Sequence, residues 1–371
     1  MEYYKIVTII LQSEAMPARF DAFRMAEVCD AEREQALKIR YVPCAGMRKM
    51  FRTVSEVSGL RIGPSEDGWV FEEADTGLRM QINADYSEAV IGEETKETPH
   101  TWAFFLQLFL EGRLLDEGVL TLHSSCVELD GKAWSFSGPS GCGKSTRARQ
   151  WVSGLCAAYL SGDRPAVHVA KRRAYGIPWD GKEQIFRNAS AEIGAVFKVR
   201  RASFTRLRTL SPKQARAFLI SQIYVPMWDS ERAMKAMLLL NRLTGSVPIF
   251  RLFCGPEESA ALETREMIMN TPETIREESI DMKLKDGFEL KSMAGEYVLM
   301  PTGENIAKFN GSVLLNELSA FVIQKLTEGP LSKEDLADLI LAEYEADREV
   351  VLNDLEGLAQ QLAEMGVITL A

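Results

Sequence analysis

Nine consecutive residues carry the sharpest chemical signal in the chain: Gly138-Pro139-Ser140-Gly141-Cys142-Gly143-Lys144-Ser145-Thr146. They satisfy the phosphate-loop pattern, a glycine followed after four residues by Gly-Lys and a hydroxyl residue. Glycines let backbone N–H groups approach phosphate oxygens, and the N-terminus of a following helix adds its dipole. In this pattern Lys144 meets the β- and γ-phosphates and Ser145 ligates Mg²⁺, so ATP and Mg²⁺ are the expected ligands. The expected nucleotide contacts are Gly138, Ser140, Gly141, Cys142, Gly143, Lys144, Ser145 and Thr146, with Cys142 simply a small residue that fits. Binding alone does not specify a reaction. An acidic group must also help hold the metal or orient a nucleophile, and Asp163, closing the apolar run 157–162, is the natural candidate for both roles.

The surrounding pattern supplies the elements that such a loop needs. Residues 118–129 read as a strand, Asp130-Gly131 as a tight turn, and 132–138 as a second strand running into the loop, with a helix over Lys144–Val152. A short strand then ends at Asp163, 164–169 and 172–179 form a hairpin, and Gly194–Val199 is a further apolar strand. Helices over 212–222 and 230–243, a strand over 248–254 and a helix over 257–269 complete this region. Upstream, Asp75, Thr76 and Gly77 mark the turn of a hairpin over 68–85, and residues 1–99 are β-rich. The stripe Trp102, Phe105, Leu106, Leu108, Phe109 and Leu114 predicts a helix over His100–Leu115.

At 371 residues the chain exceeds what one core supports, and two or three domains are expected. With 46% hydrophobic and 26% charged residues and no apolar run of membrane-spanning length, it reads as soluble, with no membrane partner. The opening MEYYKIVTIILQSE reads as a strand rather than a signal peptide, which places the protein in the cytoplasm. Six cysteines without a CxxC pair and three histidines suggest neither a disulfide framework nor a zinc or multi-histidine centre. Residues 287–371 hold 15 acidic and 5 basic residues, so the whole net charge of −10 lies there. Such a segment repels nucleic acid and leaves room for a peptide with some basic residues.

Leu122–Trp151, followed by YLSGDRPAV at 159–167 and AYGIPWDGKEQIF at 174–186, resembles the catalytic domain of HPr serine kinase and its relatives over roughly residues 100–270. The resemblance implies phosphoryl transfer from a nucleotide to a serine hydroxyl on a P-loop fold distinct from eukaryotic-type kinases, and it allows a homo-oligomer. It also makes His123 the residue that orders or polarises the acidic base. The chain departs from the family at Gly162, where the first of two adjacent aspartates is usual. Either Asp163 takes over as base and metal partner, or another carboxylate serves, with Asp180 and Glu183 nearest in sequence. The basic run Lys198, Arg200, Arg201, Arg206 and Arg208 is either a clamp for phosphate or substrate or a solvated face.

Residues 271–286 carry alternating charge and read as a linker. Beyond them, strands over 288–293, 296–302 and 305–310 precede three helices, the second opening at Ser332 with Asp335 as an approximate capping box. Residues 287–371 resemble the PqqD family. That implies a winged-helix-like peptide chaperone that captures leader peptides of ribosomally made, modified peptides by pairing them with an edge strand; a winged helix serving dimerisation or DNA binding is the alternative. The expected fold is thus an α/β HPr-kinase-like P-loop domain with a β-rich N-terminal part, plus an α+β domain of three strands and three helices. The expected function is an ATP-dependent serine kinase acting on a precursor peptide recruited by residues 287–371. A kinase for free serine or another small metabolite, and a nucleotide-gated peptide carrier, are the alternatives.

Overall fold

The computed structural model describes residues 1–48, 50–57, 59–179, 185–270, 281–293, 296–303, 305–308 and 312–370. Asp180 and Glu183 lie outside the described residues, as does the stretch 271–280 of the expected linker. The chain divides into two compact units, Met1–Arg201 with Thr205–Ile275, and Arg276–Ala371 with Ala202–Phe204. No helix among the described residues is long and apolar enough to cross a membrane.

The N-terminal residues build an eight-stranded sheet. Its hairpin Gly68–Glu73 to Arg79–Asn83 is antiparallel, with Trp69 opposite Ile82 and Phe71 opposite Met80. Alternation along these strands turns Phe71, Met80 and Ile82 toward one core. The helix Pro99–Asp116 joins that sheet's core through Trp102, Phe105, Leu106 and Phe109.

A nine-stranded mixed sheet forms the rest of the first unit. Its centre is parallel: Lys132–Ser137 pairs with the long strand Ser190–Arg201, which pairs in turn with Ile249–Cys254. Large aromatic side chains from these strands form one stack with ring separations of 5.2 to 6.3 Å: Trp134, Phe136 and Phe197 pack with Trp151 of the helix Lys144–Leu155, and Phe250 stacks on Phe197. This seam fixes the helix against the strand that precedes it, and so fixes both ends of the loop between them. The expected single strand over 118–129 is instead two, Val119–Thr121 and Ser124–Leu129. They break because their partners change: Val119–Thr121 pairs with Ala166–His168, while Ser124–Leu129 pairs with Lys132–Ser137.

One buried ion-pair cluster joins the two halves of this unit. Arg232, on the helix Ser230–Ser246, donates to Asp229 at 3.0 Å, to Asp116 at 2.6 Å and to the Ala84 carbonyl at 3.0 Å, and its guanidinium lies 3.9 Å over the Tyr86 ring. Lys235 adds a contact to Asp116 at 2.8 Å. Against the opposing effect of burial, the hydrogen bonds from Lys235 and Arg232 hold the Asp116 carboxyl below its usual range. Removing the central cation leaves two carboxylates short of a partner in a dry setting. Arg232→Ala is therefore expected to destabilise this unit by about 3 kcal/mol, read as a lowered denaturant midpoint of the full chain; an unchanged midpoint would show the cluster to be energetically idle.

The second unit departs from the expected three strands and three helices. Among the described residues it holds two three-stranded sheets, one of Asp281–Leu284 between Leu331–Ser332 and Ile368–Leu370, the other of Phe288–Met293, Glu296–Pro301 and Val313–Leu315. Asp281–Leu284 falls inside the segment expected to be a linker, and becomes a strand because two partners distant in sequence pair with it. Asn305–Lys308, expected within a strand, is one turn of helix following the turn at Gly303. The helices Glu317–Thr327, Lys333–Glu343 and Arg348–Glu364 bury Val322, Ile323, Leu326, Leu336, Leu355 and Leu362. Ser332 accepts from the Asp335 N–H and Asp335 from the Ser332 N–H, so the capping box forms with Asp in the usual place of Glu.

Candidate functional site

The phosphate-loop sequence sits between a strand and a helix, at the C-terminal ends of the parallel strands. Lys132–Ser137 ends where the loop begins, and the helix Lys144–Leu155 starts where it ends. Ligands of open α/β sheets bind at this end of the strands. Gly143, at φ +107°, turns the chain into the helix in a conformation that side chains rarely adopt, and no side chain caps the helix's first turn. Gly138 is required for space as well: a Cβ there would lie 2.8 Å from Cys142 Sγ. Ser140, Gly141 and Thr146 are exposed, while Cys142, Gly143, Lys144 and Ser145 are half-buried. Lys144 Nζ donates to the Gly138 carbonyl at 2.9 Å and the Pro139 carbonyl at 3.3 Å, which keeps the ammonium over the loop. Burial pushes the Cys142 thiol up, opposed by the Lys144 and Arg201 charges.

His123 falls in the break between strands. Its N–H donates to the Gln222 carbonyl at 2.7 Å, and its own carbonyl accepts from Ser137 Oγ at 2.7 Å, tying it to the last residue before the loop. Its Nε2 lies 3.4 Å from Asp163 Oδ1. Asp163 follows the strand Ala158–Ser161, and its carbonyl accepts from the Ser124 N–H at 2.8 Å, which places it beside His123. The hydrogen bond from His123 first, then the Arg164 and Lys144 charges, hold the Asp163 carboxyl below the usual carboxylate range despite its partial burial. The structure thus brings His123, Asp163 and Lys144 within one electrostatic neighbourhood.

Gly162 has a structural counterpart to its departure from the family pattern. Its N–H donates to the Ile185 carbonyl at 2.7 Å, and a Cβ would come to 3.2 Å from that oxygen. A second acid at this position would have to shift the segment carrying Ile185. Of the basic run, Arg201 reaches the loop and donates to the Gly141 carbonyl. Lys198 instead lies over the Phe218 ring at 5.4 Å, and Arg200 is buried.

Two further groups, Arg164 and Glu111, join the site with no motif in the sequence to mark them. Arg164 lies 3.8 Å from Asp163 Oδ2 through its Nε and 3.4 Å from Glu111 Oε1 through its Nη1. Glu111 belongs to the apolar helix Pro99–Asp116 and is 2% exposed. The one signal in the sequence was that acid, standing alone in an otherwise apolar stripe.

Among the described residues no group of three His, Cys, Asp or Glu side chains could hold a metal ion by itself. A nucleotide-borne Mg²⁺ does not need one, since one or two protein groups plus phosphate oxygens and water complete its shell. Ser145 at the start of the helix and the ionised Asp163 fit that requirement.

In the second unit, Phe288–Met293 is an edge strand of its sheet. The helix Glu317–Thr327 packs against all three strands of that sheet, so edge and helix flank a common strip of surface. Residues 296–368 match the family profile of coenzyme PQQ synthesis protein D (PqqD). No curated protein matches the chain. One similar solved structure is TbiB1 in complex with the TbiA(beta) leader peptide, 26% identical, covering 23% of this chain and 93% of that chain with a TM-score of 0.20. Another is lasso peptide synthetase B1 complexed with the leader peptide, 25% identical, covering 24% of this chain and 96% of that chain with a TM-score of 0.21. The C-terminal part of the chain, over residues 296–368, is a PqqD domain.

Proposed function

We propose that the protein is an ATP-dependent kinase that phosphorylates a serine of a ribosomally made precursor peptide, recruited through its PqqD domain. The observation that carries this reading is the Lys144 phosphate loop standing beside the His123–Asp163 pair, in a chain that also carries a peptide-recognition family's domain. The substrate hydroxyl oxygen attacks the γ-phosphorus of ATP, the bond to the ADP oxygen breaks as the new P–O bond forms, and the hydroxyl proton passes to Asp163. His123 orients the carboxylate from one oxygen. Lys144 balances negative charge on the phosphates, with first-turn N–H groups of the helix beside it. Mg²⁺, held by Ser145 and Asp163, would supply charge neutralisation between the phosphates.

Recruitment follows from strand addition: an extended leader pairs with an exposed sheet edge and lays alternate side chains toward the neighbouring helix. Tethering raises the effective concentration of the substrate serine, so the catalytic groove need not bind tightly. Incubation of the full chain with Mg-ATP, a small-peptide fraction from the source cells and free serine, read by intact mass, tests this. The expected result is one peptide gaining a phosphate mass, with transfer suppressed at least tenfold by excess of that peptide's detached leader, in line with loss of effective concentration. Phosphoserine without a modified peptide would make the protein a metabolite kinase, and bound nucleotide without any product would make it a nucleotide-gated carrier.

A further inference from the structure

Resting on the phosphoryl-transfer reading above, we propose that buried Glu111 is a positioning residue of the Asp163 site, acting through the guanidinium of Arg164. The contacts form a continuous chain. Asp163 Oδ1 faces His123 Nε2 at 3.4 Å, Asp163 Oδ2 faces Arg164 Nε at 3.8 Å, and Arg164 Nη1 faces Glu111 Oε1 at 3.4 Å. The two ends of this chain differ in solvation: the Glu111 side chain is 1% exposed and that of Arg164 32%. The guanidinium therefore reaches from the interior of the helix packing out to the carboxylate at the open site.

A carboxylate in an apolar helix face is costly unless it is paired. The neighbours of Glu111 on that helix, Leu108, Leu110, Leu114 and Leu115, are all buried, so packing alone is served by an apolar residue. What the acid adds is a fixed direction. An arginine side chain has many rotamers, and a carboxylate at its far end selects one of them. Gln107 Nε2 donates to the same Glu111 oxygen at 3.2 Å and holds that carboxylate in turn. With His123 Nε2 near one oxygen and the Arg164 charge near the other, the Asp163 carboxylate is approached by a polar group on each side. Gly162, preceding it, has no side chain to share that task, so the constraint comes from His123 and Arg164. The separation of Glu111 and Arg164 by 53 positions also ties the helix to the loop after Ala158–Ser161.

The test uses the full chain with Glu111→Gln, Arg164→Met, Arg164→Lys and the double variant Glu111→Gln/Arg164→Met. Burial pushes the Glu111 carboxyl up, opposed by the Arg164 charge, and Glu111→Gln keeps size and an acceptor oxygen while removing the acid that the guanidinium pairs with. Its kcat for phosphoryl transfer is expected to fall about tenfold, as for loss of a group orienting a catalytic residue, with KM for ATP unchanged. Arg164→Met is expected to lose at least as much, Arg164→Lys to recover part of it, and Glu111→Gln to cost nothing further in the Arg164→Met background. A merely structural acid would give additive losses instead. In parallel, the Arg164 Nε–H resonance in an arginine-labelled sample is expected to be sharp in the unaltered protein and exchange-broadened in Glu111→Gln. Additive losses, a parallel rise in KM, or an Arg164 resonance indifferent to Glu111→Gln would each overturn the inference. A resonance that responds in a protein that transfers phosphate to no acceptor would instead overturn the kinase reading, and the catalytic role of Glu111 with it.

Discussion

Lys144→Ala is expected to abolish phosphoryl transfer while leaving peptide capture intact. The Lys144 ammonium is held over the loop by the Gly138 and Pro139 carbonyls, and its charge reaches Asp163. Loss of one preorganised charge partner of a transition state costs roughly 10²- to 10³-fold in kcat. The substitution should cost little in stability, because Lys144 is only half-buried at a helix start and one of its two carbonyl partners, Pro139, is exposed. Single-turnover transfer from labelled ATP measures the loss, and fluorescence anisotropy of a labelled precursor peptide measures capture by the PqqD domain. Transfer within tenfold of the unaltered protein would remove the loop from catalysis. Loss of peptide capture in the same variant would show that recognition and chemistry are not separable functions of the chain.

The local geometry of the candidate site is legible where its residues are close in sequence or are demanded by the backbone. The phosphate loop needs glycine at Gly138 and Gly143 for space and for a left-handed turn, and those demands are written directly into the chain. Asp163 comes two residues after the short strand Ala158–Ser161, not at its end, and the turn at 75–77 sits between two alternating runs, so strand and hairpin patterns place both to within about two residues. The capping box at Ser332 and Asp335 is equally local.

What was hidden depends on partners far away in sequence. His123 lies in a run of strand-forming residues, and its break exists only because Val119–Thr121 and Ser124–Leu129 take different partners. Asp281–Leu284 looks like a charged linker until the strands Leu331–Ser332 and Ile368–Leu370 flank it. Glu111 shares no local pattern with Arg164, and its meaning appears only when the helix Pro99–Asp116 is laid beside residue 164. Side-chain period reports which face is buried, not which polar group a buried acid will meet.

Asp163→Asn is expected to lower kcat by about 10²- to 10⁴-fold, the range associated with a positioned proton acceptor. The amide keeps the shape of the side chain and retains one oxygen to face His123, so positioning by the strand Ala158–Ser161 and by the Ser124 contact should survive. What is lost is the negative charge. His123, Arg164 and Lys144 all act to keep Asp163 ionised, so a neutral amide leaves three groups facing a site from which their counter-charge has gone. That has a consequence for nucleotide binding opposite to the one for turnover. Without the carboxylate, repulsion of the phosphates falls, so affinity for ATP measured without Mg²⁺ should stay equal or rise while transfer collapses. With Mg²⁺ present, the same substitution removes one oxygen ligand and should weaken the metal-dependent part of binding. Equilibrium binding of a fluorescent ATP analogue with and without Mg²⁺, beside single-turnover transfer, separates these effects. An Asp163→Asn protein that transfers phosphate at more than a tenth of the original rate would relieve Asp163 of the proton-accepting role, and the base would have to be sought among Asp180 and Glu183.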